Sequence, residues 1–352
     1  MNGGSGGSSG ATVALDGFGA ERGFDVLAEG ARMAAADGIR LRVFGPPDRL
    51  GLDSGDGIEV IACDRWISND EDAVPAVRTR PEASVVQAAR DVAAGNAQAM
   101  ASAGSTGATM AAATFELRRL RGVQRPALAV RLPVPGKPVL FLDVGANVEV
   151  RAQHLVQFAY LGAAFSESVL GVEDPRVGLL SVGEEQGKGT EAVAAAQRIL
   201  AEATGIDFVG NVEGDGLPAG VADVVVTDGF TGNVALKLME GTAKVVTGAI
   251  SDAARSNPLA GAGGLLLRPA LGGLRRELHP DTTGGAILLG LRQVAVVGHG
   301  GSGAEGIANA VRLAARCVAV DAVERTAALL RSGGATRRDL AEDSDAADPV
   351  EA

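Results

Sequence analysis

From Ala11 onward, short β-branched runs alternate with Ala-rich stretches of helical length. The strand-like runs repeatedly end in a Gly-rich polar loop that opens a helical pattern, at Ser102 to Gly107, Asp143 to Asn147, Gly183 to Thr190, Asp228 to Asn233 and Gly298 to Gly303. Such alternation predicts parallel strands joined by right-handed helical crossovers. The expected fold class is therefore α/β, a doubly wound, mostly parallel sheet with helices on both faces. Strands are expected at Ala11 to Leu15, Leu41 to Phe44, Ile58 to Ala62, Gln98 to Ser102, Val139 to Asp143, Val177 to Val182, Asp207 to Gly210, Val221 to Thr227 and Val294 to Val297. In a parallel sheet the Gly-rich loops would gather at the carboxyl ends of the strands. Helix N-termini there present unpaired N–H groups and a positive dipole end, which suits a bound phosphate.

Composition narrows what that scaffold can do. The 352 residues carry 32 Lys plus Arg against 43 Asp plus Glu, a formal charge of −11 that argues against nucleic acid as a partner. With 46% hydrophobic residues and 50 glycines, the chain has apolar surface enough for a core of small side chains, which excludes global disorder. The two cysteines, Cys63 and Cys317, have neither disulfide nor metal-pair spacing, and no Asp/His cluster has metal-ligand spacing. No apolar run approaches the roughly 18 to 20 residues that span a bilayer, and the Gly/Ser-rich start lacks the charged and apolar regions of a signal peptide. The expected layout is a flexible segment over 1–10, one two-lobed α/β domain over 11–332, and an acidic, solvated tail over 333–352. The last long helix is expected from about Gly306 to Arg331.

Two loops imitate nucleotide-binding motifs and fail as such. Gly183 to Thr190 is one residue short before Lys188 and places Gly before Thr, so it is no ATP loop. Gly298 to Gly303 contains GxGxxG, but the helix after it leads to no second strand with a ribose-binding acid.

Taken together, the junctions resemble the bacterial phosphate acyltransferase family of phospholipid synthesis. The resemblance rests on Ser102-Ala103-Gly104-Ser105-Thr106-Gly107-Ala108, Arg125-Pro126-Ala127-Leu128, Leu142-Asp143-Val144-Gly145-Ala146-Asn147, Gln157-Phe158-Ala159 and Pro175-Arg176-Val177-Gly178-Leu179-Leu180. It continues through Gly183-Glu184-Glu185 with Lys188-Gly189, Gly210-Asn211-Val212-Glu213-Gly214, Asp228-Gly229-Phe230-Thr231-Gly232-Asn233-Val234 with Lys237, and Gly298-His299-Gly300. It implies a fold like that of isocitrate and isopropylmalate dehydrogenases and of phosphotransacetylase. It further implies transfer of an acyl group from acyl-acyl carrier protein to inorganic phosphate without a cofactor or metal, in a cytoplasmic homodimer held peripherally at the membrane surface. This chain departs from the family's pattern at Ser105, where Asn is usual, and in the opening Asp16-Gly17-Phe18-Gly19-Ala20-Glu21, where Asp-Ala-Met-Gly-Gly-Asp is usual.

Attack of phosphate on a thioester needs no covalent enzyme intermediate. Preorganised N–H donors and a cation should carry most of the catalysis. Ser105, Thr106, Gly107 and Asn147 are the candidates for holding phosphate. Asn233 is a candidate oxyanion donor, Lys188 and Lys237 are candidate cations, and His299 is a candidate acid for the leaving thiolate. Asp16, Asp143 and Asp228 read as carboxylates that orient loops.

Between Pro258 and Pro280, Leu267, Leu271, Leu274 and Leu278 fall on one helical face beside Arg268, Arg275 and Arg276. That segment reads as a core or dimer helix, or as the surface where Leu267, Leu271, Leu274 and Arg275 meet acyl chain or membrane. Arg118, Arg119, Arg121 and Arg125 form a basic cluster that could dock an acidic carrier. Two other functions fit the same residues: a phosphotransacetylase acting on a small acyl-CoA, and a non-catalytic membrane scaffold for the carrier.

Overall fold

A computed structural model of the chain describes residues 10–132, 134, 139–256, 259–260, 263, 266–267, 280–282 and 284–346. The strands are β1 (Thr12–Asp16), β2 (Arg40–Gly45), β3 (Ile58–Ala62), β4 (Ala99–Ser102), β5 (Ala127–Leu132), β6 (Val139–Leu142), β7 (Arg176–Leu180), β8 (Asp207–Val212), β9 (Val224–Val226), β10 (Ala286–Leu289) and β11 (Val294–Val297). Between them lie α1 (Phe24–Ala36), α2 (Pro47–Leu50), α3 (Ala73–Thr79), α4 (Ser84–Ala93), α5 (Thr106–Glu116), α6 (Ala152–Phe165), α7 (Glu191–Ala201), α8 (Gly216–Ala219) and α9 (Gly229–Arg255). All eleven strands join one sheet in the order β3-β2-β1-β4-β11-β10-β5-β6-β9-β7-β8.

Burial follows position in the sheet. β1, β4, β6, β9 and β11 are buried along their whole length, as strands covered on both faces must be, whereas the edge strands β3 and β8 alternate with exposed residues. On one face α1, α6 and α7 pack with the helices Ala304–Ala319 and Ala322–Ser332; on the other lie α3, α4 and α5.

The sheet is mostly parallel, as expected, and its antiparallel pairings are confined to β5 and β10. β10 runs antiparallel to both β11 and β5, and β5 antiparallel to β6. As a result β3-β2-β1-β4-β11 point one way and β6-β9-β7-β8 the other. The two strands not expected from the sequence, β5 and β10, are the ones that make this reversal. Both are short apolar runs, Ala-Leu-Ala-Val-Arg-Leu and Ala-Ile-Leu-Leu, whose periodicity does not separate strand from helix.

Other expectations shift at their ends. β9 starts at Val224, after the exposed Val221. The helix expected from Gly306 to Arg331 is broken in two at Asp321, whose φ of 51° is left-handed. The acidic tail, expected to be solvated from 333, is helical over Arg337–Ala346. Leu340 there is buried, and its carbonyl accepts from Gln153 Nε2 at 3.1 Å. In the 258–280 segment Leu259, Leu266 and Leu267 are helical and exposed, while Arg268, Leu271, Leu274, Arg275, Arg276 and Leu278 lie outside the described residues.

Candidate functional site

Three loops follow the carboxyl ends of the neighbouring strands β6, β9 and β7, and the first of them is built around Asp143. Its buried carboxylate accepts from the backbone N–H groups of Leu128 (3.0 Å), Ala146 (2.9 Å) and Asn147 (2.7 Å), and from Asn147 Nδ2 (2.8 Å). Burial raises its pKa and these bonds oppose the rise. Every donor is an N–H, which can only donate, so the carboxylate serves as an acceptor hub that shapes the Asp143–Asn147 loop. Asn147 Nδ2 also donates to the Pro126 carbonyl at 2.7 Å, tying this loop to the start of β5.

The first turn of α9 rests directly on that loop. Gly229 N donates to the Asn147 carbonyl at 2.7 Å. A Cβ at Gly232 would lie 1.9 Å from the Asp143 carbonyl oxygen, so no other residue fits there. Asp228 caps the helix, accepting from Thr231 N at 2.8 Å and Thr231 Oγ1 at 2.7 Å. Asn233 follows in the same turn, exposed and with no side-chain hydrogen bond among the described residues. Lys237, one turn further on, is paired with Glu240 at 3.0 Å, which makes it the weaker of the two candidate cations.

The loop after β7 presents Lys188. Asn211 Nδ2 donates to the carbonyls of Gly183 and Glu185, each at 3.2 Å, and Gln197 Oε1 accepts from Gly187 N at 2.8 Å. Thr190 caps α7 by accepting from Val193 N at 3.3 Å. Held in this way, Lys188 is exposed and pairs with no carboxylate among the described residues. Asn211 and Gln197 were not singled out for any role by the sequence; only buried amides with loop carbonyls or N–H groups in reach reveal it.

The other candidates follow the carboxyl ends of β1, β4 and β11, strands that run the other way. Asp16, buried at the end of β1, accepts from Ser84 Oγ (2.6 Å), Ser102 Oγ (2.7 Å) and Phe18 N (3.2 Å), and burial raises its pKa. Ser105 is the N-cap of α5, its Oγ accepting from Ala108 N at 3.4 Å. The N–H groups of Thr106 and Gly107 have no partner among the described residues, so this helix start keeps its capacity for an anion. His299, after the neighbouring β11, is exposed, and its Nδ1 accepts from Gly301 N at 3.1 Å, leaving Nε2 to carry the ring proton. Glu21 of the altered opening docks here, its backbone N–H donating to the Gly300 carbonyl at 2.9 Å. The phenyl ring of Phe18 stacks on Trp66, centroids 5.2 Å apart, at the mouth of this end.

Ser102 and Leu142 stand four strand spacings apart, about 19 Å, and the chain leaves them in opposite directions. Within one chain, Asn147, Lys188, Asn233 and Lys237 therefore form one group and Ser105, Thr106, Gly107 and His299 another. The Gly-rich loops do lie at the carboxyl ends of strands, as expected, but of two strand groups that run in opposite directions. Asp16, Asp143 and Asp228 do orient their loops, as expected. Among the described residues no group of three His, Cys, Asp or Glu could hold a metal ion.

Comparison with known proteins bears on the family and the fold. The family model described as "Fatty acid synthesis protein" matches residues 11–325. A phosphate acyltransferase of Geobacillus thermodenitrificans is 41% identical over 316 residues, which cover 88% of this chain and 96% of that one. One of Elusimicrobium minutum is 47% identical over 269 residues, 76% and 79% of the two chains. Among solved structures, a phosphotransacetylase from Streptococcus pyogenes matches with a TM-score of 0.56 at 16% identity, covering 89% of this chain and 94% of that one, a likeness of fold.

Proposed function

Because the chain belongs to this fatty acid synthesis family and is an acyltransferase by its similarity to the phosphate acyltransferases within it, we propose that it moves a long-chain acyl group from acyl carrier protein to inorganic phosphate. The observation that carries the reading is that Lys188, paired with no carboxylate among the described residues, stands with Asn233 and Asn147 on loops that follow three neighbouring strands. A phosphate oxygen attacks the thioester carbonyl, a C–O bond forms, the C–S bond breaks, and the proton of the monohydrogen phosphate passes to the leaving thiolate. Lys188 meets negative charge on phosphate or on the developing oxyanion, and Asn233 donates to that oxyanion.

The second group, at the Thr106 and Gly107 N–H groups with His299, belongs to the same reading only through a partner copy. We place it across a homodimer, where one subunit's α5 end faces the other's Lys188 end. α9 suits such an interface: over 27 residues it buries only Gly229 and Gly232, and it exposes Val234, Leu238, Val245, Val246 and Ile250. Leu259, Leu266 and Leu267 are exposed as well, which favours peripheral contact with the cytoplasmic membrane and a long acyl chain over acetyl. No described helix is long and apolar enough to cross a membrane.

The test is incubation with acyl carrier thioesters of graded chain length and with acetyl-CoA, with and without phosphate. Phosphate-dependent release of carrier thiol with acyl phosphate as product, favouring long chains, is expected. Turnover that ignores phosphate, or that prefers acetyl-CoA, sinks the reading.

A further inference from the structure

The loop Arg118 to Arg125 does not stand alone. Its conformation is fixed from several directions, and each fixing segment brings another arginine. Arg292 N donates to the Arg118 carbonyl at 3.0 Å and Arg292 Nε to the Arg119 carbonyl at 3.2 Å, which sets Arg292 against the loop. Arg337 N donates to the Gly122 carbonyl at 2.7 Å, bringing in the start of the last helix. Arg125 Nη1 donates to the Glu149 carbonyl at 3.3 Å, and Arg151 follows two residues later.

The keystone is Gln157, wholly buried in α6. Its Oε1 accepts from Gln124 N at 2.8 Å, and its Nε2 donates to the carbonyls of Gly122 (2.8 Å) and Ala335 (2.9 Å). The result is an apron of exposed arginines from segments distant in sequence. None of Arg118, Arg119, Arg121, Arg125, Arg151, Arg292 and Arg337 pairs with a carboxylate among the described residues. Of the described acids on these segments, Glu116 is tied to Arg90 and Asp339 to Thr336.

On a protein whose formal charge is −11, such an apron is an exception to the surrounding field. Its strength registers in His154, whose pKa is pushed down to about 4 by burial and by the positive charges of Arg125 and Arg151. The apron also has a fixed relation to the candidate site. The Pro126 carbonyl accepts from Asn147 Nδ2, and Arg125 reaches the backbone two residues beyond Asn147. Arginines and Asn147 thus share one edge of the molecule.

From this juxtaposition we propose that the arginine apron docks the acidic face of the protein that carries the acyl thioester, delivering it over Asn147. The inference rests on the acyl-transfer reading above and adds to it the surface on which the carrier sits. Charge complementarity at a rim of this kind acts on encounter and on salt dependence more than on chemistry. It therefore makes a split prediction for protein-borne and small thioesters.

The experiment compares the parent with Arg121→Glu/Arg337→Glu and with a control reversal elsewhere, Arg325→Glu. Each is assayed with an acyl carrier thioester and with the same acyl group on coenzyme A. In the double variant KM for the carrier thioester should rise about tenfold or more, with kcat near the parent's and the salt dependence of kcat/KM reduced. Kinetics with acyl-CoA, and both donors in Arg325→Glu, should be unchanged. An unchanged carrier KM, or equal losses with both donors, overturns the proposal. Loss of binding to phosphatidylglycerol vesicles with an unmoved carrier KM also overturns it and makes the apron a membrane surface. Should no donor react in the parent, the acyl-transfer reading has failed. Direct titration of the acidic carrier onto parent and double variant then decides the docking surface by itself, equal affinity rejecting it.

Discussion

Gly232 and Asp143 meet backbone to backbone: the carbonyl of one lies where a Cβ of the other would stand, 1.9 Å away. This contact locks the start of α9 to the acceptor hub at the end of β6, so that Asn233 and Asn147 are placed by one rigid joint. Gly232→Ala should therefore push the two loops apart. Overpacking of this kind costs about 1 to 3 kcal/mol, read as a lower urea midpoint, together with a fall in turnover. Gly214→Ala, in a turn outside that helix and facing open space, should instead gain up to about 1 kcal/mol. Equal stabilities for the two variants would remove the joint from the account.

Lys188→Ala tests the cation. If Lys188 meets charge that develops only in the transition state, kcat should fall by about 2 to 4 kcal/mol, roughly thirtyfold to nearly a thousandfold, while thermal stability stays within about 0.5 kcal/mol of the parent. Lys188→Arg should recover part of the rate. A near-parental rate for Lys188→Ala takes the residue out of the site.

The joint and the cation differ in how far the sequence revealed them. The glycines of the Asp228 to Asn233 stretch and the lone Lys188 between glycines were visible as strand-to-helix junctions, because Gly and capping residues leave local signatures. The division of those junctions between two strand groups of opposite direction was not. It depends on β5 and β10, whose four to six apolar residues carry no distinguishing period, and without them the remaining strands read as wholly parallel. Asn211 and Gln157 were hidden for a different reason. A buried amide has no local signature, and its partners, such as Ala335 for Gln157, are distant in sequence.

Protonation of His154 should couple stability to pH. The imidazole is buried, its Nδ1 accepts from Arg151 N at 3.1 Å, and its pKa falls from 6.5 to about 4. A histidine with a depressed folded pKa contributes stability that is fully present above its unfolded value and is lost as pH falls through the window between 6.5 and about 4. The loss is on the order of 3 kcal/mol across that window. His154→Gln should flatten this part of the stability profile, measured by urea unfolding at stepped pH. An unchanged slope would show that other groups govern it.

The separation of Lys188 from His299 yields the last prediction. In one chain they lie on loops after β7 and β11, strands five places apart in the sheet that run in opposite directions. If a homodimer closes each site with Lys188 from one subunit and His299 from the other, Lys188→Ala and His299→Ala each disable both sites of their own homodimer. Mixing and re-associating the two variants produces heterodimers in which one site carries both lesions and the other carries none. Random association makes half the dimers mixed, so activity should recover to about a quarter of the parent's. If instead each site is built within one subunit, every site in the mixture carries a lesion and activity stays at the level of the separate variants. Mass analysis of the re-associated sample must show the mixed dimer for the comparison to count. With it present, absence of recovery assigns the His299 end a role apart from the Lys188 chemistry.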